Sequence, residues 1–208
     1  MIILSVDPAT KTGASIVDYS TNEFTTAPFV VSSSMPISQY EENLENFIDG
    51  VKIDFAIIER PFFIQGKDPQ KNMRSLPNYI THWRIVQSWI LAIEAVTGIM
   101  CIETKKNMSK GQIVYPKKWQ NGMNIDSYQT SGSKAKAKLC ALHHFDGLSR
   151  ELSFDEYDSL VMNKYKWFQC RDLGVPKGDE IQTRLFEAMR QSGAILPTYE
   201  EYKLLKGE

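Results

Sequence analysis

Hydrophobic and polar positions along the chain change period several times, and each change marks an element. Residues 2–6 form a mostly apolar run rich in branched side chains, the segment Asp7-Pro8-Ala9-Thr10-Lys11-Thr12-Gly13 interrupts it, and a second mostly apolar run covers 14–17. That pattern predicts strand, tight turn, strand, with 24–31 as a third antiparallel strand. Tyr40, Leu44, Phe47, Ile48 and Val51 recur at helical spacing, so 37–50 is expected to be an amphipathic helix. A buried strand over 53–58 follows and ends in an acid, Glu59, after which Arg60-Pro61 stops regular pairing. A polar loop with Gly66 and Pro69 leads into a long helical pattern through Ile80, Trp83, Val86, Trp89 and Ile93 that closes at Gly98, with Pro77 in an early turn or at a kink. Residues 99–102 read as a fifth strand, then loops with Gly111, Gly122 and Gly132, then a helix over 134–145. Ser153-Phe154-Asp155-Glu156 has the form of a capping box, so a helix starts there and runs to about 168. A last helical stretch, 180–191, precedes a polar tail.

Short strands alternating with helices predict one α/β domain over 1–170, followed by a C-terminal extension, 171–208, helical and packed on the domain. The chain has 208 residues, of which 42% are hydrophobic and 24% charged, which excludes global disorder and any need for disulfides or a structural metal. The most apolar stretch, 89–102, is broken by Glu94 and is too short for a membrane span. No Lys or Arg precedes the first apolar run, which is not the layout of a secretory signal, and a cytoplasmic protein is expected. Cys101, Cys140 and Cys170 are widely spaced, with no C-x-x-C pair, and are read as reduced thiols.

The charge is unevenly spread. Residues 1–104 carry 7 basic and 12 acidic side chains, whereas 105–138 carry 8 and 1. Lys105, Lys106, Lys110, Lys117, Lys118, Lys134, Lys136 and Lys138 thus form a positive block on a mildly acidic protein, suited to a polyanion or, more plainly, to a solvated face. His143 and His144 are adjacent, point to different faces of their helix and make a poor joint metal site.

Two acids, Asp7 and Glu59, end apolar strands, and Asp155 and Asp158 share one helix face. If the first and fourth strands are neighbours and the capped helix abuts their ends, four carboxylates converge, and such a cluster is tolerable only with cations. Oxygen ligands without His or Cys select Mg²⁺ or Mn²⁺. Two such ions, roughly 3.5–4 Å apart, suit in-line phosphodiester hydrolysis. The plainer alternative has Asp7 capping its turn, Glu59 paired with Arg60 or Lys67, and Asp155 serving the helix dipole.

In order and spacing, Ile3-Leu4-Ser5-Val6-Asp7-Pro8-Ala9-Thr10-Lys11-Thr12-Gly13, then Ala56-Ile57-Ile58-Glu59-Arg60-Pro61-Phe62-Phe63, then Asp155-Glu156-Tyr157-Asp158, resemble the motifs of RuvC-type Holliday-junction resolvases. Tyr115-Pro116-Lys117-Lys118-Trp119 and 134–142 are similar to that family's basic strand-to-helix region. The resemblance implies an RNase H-like fold, a five-stranded mixed sheet flanked by helices, acting as a homodimer that nicks four-way junctions. It implies Asp7, Glu59, Asp155 and Asp158 as ligands of two Mg²⁺ or Mn²⁺ ions, with Lys118 and Lys134 (or Lys138) at the scissile phosphate. Phe62 or Phe63 would stack on an unpaired base, or else lie in the core beneath their loop. Lys11, Lys105, Lys106, Lys110, Lys117, Lys136 and Lys138 would contact DNA. The helix around 78–96 would form the dimer, with Trp83 and Trp89 at the interface or, alternatively, in ordinary helix packing. Ala9 stands where the family usually has Gly, and 104–113 is extra, which fits a divergent viral or phage-encoded member. The competing functions are a nuclease for flaps, forks or other branched DNA, a catalytically silent DNA-binding module, and an actin-like ATPase or sugar kinase, for which the chain is short.

Overall fold

β1 (Ile2–Asp7) is buried from Ile3 to Asp7, and the other strands are laid out around it. It pairs antiparallel with β2 (Lys11–Asp18), which pairs antiparallel with β3 (Glu23–Val30). On its other side β1 pairs in parallel with β4 (Phe55–Glu59). Beyond β4 lie β5 (Cys101–Glu103) and β6 (Gly111–Val114), and the sheet order is β3-β2-β1-β4-β6-β5. The computed structural model describes residues 1–61, 69–103, 109–148 and 151–171. Phe62, Phe63, Lys105, Lys106, the helix expected over 180–191 and residues 172–208 lie outside them.

The sheet has six strands where the apolar pattern gives five. The strand expected over 99–102 is a three-residue edge, and the place beside β4 is taken by Gly111–Val114, a segment that reads as loop. Its disguise is chemical. Gly111 is required because a Cβ there would meet the Met100 carbonyl oxygen at 2.4 Å. Gln112 is a fully buried amide whose Oε1 accepts from the equally buried Lys166 ammonium at 3.3 Å. Neither residue carries an apolar signal.

Helices cover both faces. α1 (Ile37–Ile48) and α2 (Pro69–Thr97) pack on one, burying Leu4, Val6, Ala56 and Ile58 against Tyr40, Leu44, Val86 and Trp89. α2 begins well before the apolar pattern does and carries Pro77 inside it. Trp89 is fully buried, its ring centroid 5.1 Å from that of Tyr40 and 5.3 Å from that of Phe29. Trp83 is half-buried with the Arg60 guanidinium over its ring. Trp89 is therefore enclosed within its own chain, which corrects its interface placement, and Trp83 keeps part of its ring at the surface.

α3 (Pro116–Gly122), α4 (Ser133–His144) and α5 (Phe154–Arg171) cover the other face, where Ile57, Val114, Trp119, Tyr157 and Leu160 share a second core. α3 replaces what reads as loop. Its seven residues are too few for a visible period, and Pro116 at its first turn is its one local signal.

α5 is fixed to the sheet by hydrogen bonds as well as by packing. Asn163 donates to the Ile3 carbonyl at 2.7 Å and accepts from Tyr19 Oη at 3.1 Å. Ser5 donates to the Ser159 carbonyl, and its hydroxyl lies 2.9 Å from that of Ser15. Ser5, Ser15, Ser159 and Asn163 are all fully buried, so each bond lost strands a polar group without water. Asn163→Leu keeps the number and branching of the side-chain heavy atoms and deletes the bonds. We expect it to lower stability by about 2–3 kcal/mol in urea unfolding; stability equal to the parent would mean that apolar packing alone holds α5.

Candidate metal centre

Local chemistry puts each acid in place. β1 and β4 run in parallel with Val6 opposite Ile58, so Asp7 and Glu59 occupy the next level of adjacent strands at their carboxyl ends. The helix that meets them starts with the expected capping box: the Ser153 backbone N–H donates to Glu156 Oε2 at 2.9 Å, and Ser153 Oγ accepts from the Glu156 N–H at 3.3 Å. Glu156 also accepts from Thr26 at 2.9 Å, so it is turned toward β3 and the cap. That turn leaves Asp155 and Asp158 to face β1.

Gly13 makes the approach possible. A Cβ there would lie 2.1 Å from the Asp155 carbonyl carbon and 2.4 Å from the Glu156 nitrogen, so any side chain would push the start of α5 away from Asp7. As a result Asp7, Asp155 and Asp158 each offer a carboxylate oxygen within 4.8 Å of the other two. Glu59 stands beside this triad, held by the Trp119 indole N–H, which donates to its carboxylate. Lys134, at the start of α4, closes the group with its ammonium 2.6 Å from Asp155 Oδ1.

Crowded like charges leave an electrostatic signature. Burial, reinforced by Glu59, Asp158 and Asp155, holds the Asp7 carboxyl well above the usual carboxylate range. Burial pushes Glu59 up to about 8 against the opposing Trp119 hydrogen bond, with Asp158 adding to the rise. Burial pushes Asp158 up to about 7, with Lys134 opposing and Asp155 reinforcing. Burial of Lys134 works against its charge, but the Asp155 hydrogen bond and the surrounding carboxylates outweigh it and raise its pKa. Among the described residues, one ammonium faces four carboxylates, which leaves a deficit of positive charge. Hard oxygens, no soft ligand among the described residues and that deficit fit Mg²⁺ or Mn²⁺, with Asp7, Asp155 and Asp158 as the nearest donors and Glu59 next to them.

The remaining expected residues are scattered. Lys136 pairs with Asp126 at 2.8 Å and Lys138 with Glu151 at 2.9 Å along α4. Lys118 is half-buried on α3, and Lys11, Lys110 and Lys117 are exposed. Arg60, offered above as a partner for Glu59, is paired with Glu103 instead. The rings of His143 and His144 stack at 4.9 Å, at the opposite end of α4 from Lys134, and His144 packs against Phe168. The three cysteines are free and buried. Trp119 is the site residue that spacing missed; its pairing with Glu59 spans 60 residues, and only the basic Tyr115–Trp119 motif hints at it.

A mixed sheet with its first three strands antiparallel, helices on both faces, and an acidic triad at the ends of the central strands together define an RNase H-like architecture. By sequence the chain matches no family model and no curated protein. Its fold matches RuvC of Thermus thermophilus in complex with a Holliday junction substrate, with a TM-score of 0.51 and 10% identity over 84% of this chain and 96% of that one. It also matches a second Thermus thermophilus RuvC structure, with a TM-score of 0.50 and 11% identity over 79% and 92% of the two chains. The fold is thus RuvC-like. Among the described residues, no helix is long and apolar enough to cross a membrane.

The raised carboxyls make stability depend on pH. Because Glu59 and Asp158 hold protons to higher pH in the folded protein than in the unfolded chain, folding binds protons, and stability falls as the pH rises from their ordinary values toward about 8. His144, which burial depresses, acts in the opposite sense only below its ordinary 6.5. In EDTA the melting temperature should therefore decline between pH 6.5 and 8, and millimolar Mg²⁺ should remove the decline; a flat or rising profile in EDTA would contradict the burial of these acids.

Proposed function

We propose that the chain is a divalent-metal-dependent, structure-selective DNA endonuclease that nicks four-way junctions. The observation that carries this reading is the convergence of Asp7, Asp155 and Asp158 oxygens within 4.8 Å, beside Glu59, on a RuvC-like fold. Bound there, a pair of Mg²⁺ or Mn²⁺ ions would supply an acidified water and charge to oppose that of a phosphodiester. The chain's own groups have separate tasks. Asp7, Glu59, Asp155 and Asp158 hold the cation charge, the capping box and Gly13 set their spacing, and Trp119 orients Glu59. Lys134 offers an ammonium at the edge of the cluster, and Lys118 a second one on α3.

Support for branched DNA comes from the solved neighbour, which is in complex with a Holliday junction substrate. Lysines supply sequence-independent, salt-dependent affinity, so shape more than sequence is read. Phe62 or Phe63, shortly after Glu59 in the sequence, would stack on the base at the crossover, where stacking is worth about 1–3 kcal/mol. A homodimer through α2 is supported by the exposed apolar side chains Leu76, Ile80 and Leu91, each 42–47% exposed.

Asp7→Asn, Glu59→Gln and Asp158→Asn should each abolish nicking of a synthetic four-way junction in Mg²⁺ while leaving junction binding intact. Nicking retained by any of the three would overturn the assignment. Comparing four-way junction, fork, flap and duplex substrates fixes the preferred shape. Lys118→Ala should weaken or slow the reaction and flatten its salt dependence by about one phosphate contact; an unchanged rate across salt concentrations would remove Lys118 from the phosphate.

A further inference from the structure

We infer that α2 positions the carboxylate centre through the backbone, with His82 as its principal contact; this inference rests on the metal-dependent reading above. β1 ends with Asp7 opposite Gly13, and the next carbonyl, that of the buried Pro8, lies beyond the last ladder pair. His82 Nε2 hydrogen-bonds to that carbonyl. A carbonyl only accepts, so Nε2 carries the proton and donates. Without it, the residue that follows Asp7 would have a buried acceptor to satisfy.

Two turns further along the same face of α2, the Trp89 indole N–H donates to Thr12 Oγ1 at 3.1 Å. The Thr12 hydroxyl in turn donates to the Ala9 carbonyl at 2.7 Å, closing the turn that follows Asp7. A third contact reaches the other strand acid. The guanidinium of Arg60, the residue after Glu59, lies 4.9 Å from the Trp83 ring centroid and 4.5 Å from that of Tyr115, and it is paired with Glu103. One helix thus grips the residues that directly follow both strand-terminal acids. His82 reaches a backbone carbonyl, Trp89 a hydroxyl and Trp83 a guanidinium, so His82, Trp83 and Trp89 are positioning residues. Contacts one layer out from a metal ligand are typically worth 10–100-fold in metal affinity or activity, and a displacement of about 1 Å at the reacting groups can cost as much.

The test pairs His82→Leu, which removes the donor, with His82→Gln, which restores an N–H. For both variants and the parent protein one would measure metal-free melting temperature, Mn²⁺ affinity by calorimetry, and kcat and KM for nicking. The expected result for His82→Leu is Mn²⁺ binding weakened about 10-fold and kcat lowered about 10–100-fold with KM within roughly twofold, and His82→Gln should recover most of both losses. Thr12→Val keeps the side-chain volume and deletes the hydroxyl that accepts from the Trp89 indole and donates to the Ala9 carbonyl, so it gives the same selective loss in kcat even if His82→Leu folds poorly. Parental kcat and Mn²⁺ affinity in His82→Leu, or equal impairment in the Leu and Gln variants, would overturn the positioning role. A parent protein that neither binds Mn²⁺ nor nicks DNA would instead overturn the metal-dependent reading itself.

Discussion

Asp7 sits at the end of the most enclosed strand of the sheet, and two aspartates from another element are pressed against it. Left to themselves, three close carboxylates would separate, or the helix bearing two of them would shift away, because desolvated like charges repel strongly at this range. Neither escape is open. The side chains of Asn163 and Ser5 bind α5 to fixed backbone points, and Gly13 allows the helix start to touch β2 with no intervening atom. Burial first, and the neighbouring carboxylates after it, therefore raise the pKa values of Asp7, Glu59 and Asp158. A rigid mount of this kind has a chemical use, since a cation entering it meets oxygens already in place.

Much of this was legible in the sequence because it is encoded locally. Ser153 and Glu156 announce the start of α5 within four residues, and that start fixes which of the three acids 155, 156 and 158 can turn toward the sheet. Asp7 and Glu59 each end a run of apolar residues, a pattern that a strand buried on both faces produces by itself. The illegible parts depend on distant partners. Gln112 is acceptable in a buried strand only because Lys166, 54 residues later, reaches it. Trp119 lies in the core, yet its indole N–H is spent on Glu59. His82 lies 74 residues from Pro8, in a helix whose apolar period gives no reason to single out one imidazole. Trp83 and Trp89 were open to either placement from spacing alone, because a periodic apolar stripe does not say whether its cover is the same chain or another.

The lysines of α4 divide into two kinds, and the division bears on how a polyanion would be held. Lys136 and Lys138 pair with Asp126 and Glu151, whose side chains are 88% and 82% exposed. Pairs so open to water contribute little, so an incoming phosphate can readily replace the carboxylate. Lys134 differs: its partner Asp155 is only 18% exposed, and Asp7 and Asp158 also act on it. While the carboxylates lack other positive charge, that ammonium is their nearest compensation and is held inward. Under the proposed function Asp7, Glu59, Asp155 and Asp158 would hold divalent charge, which would weaken their pull on Lys134, and its flexible stem would leave it able to turn from Asp155 to a phosphate oxygen. Lys134 would then serve two partners, bracing the acids in the absence of ions and meeting the substrate in their presence.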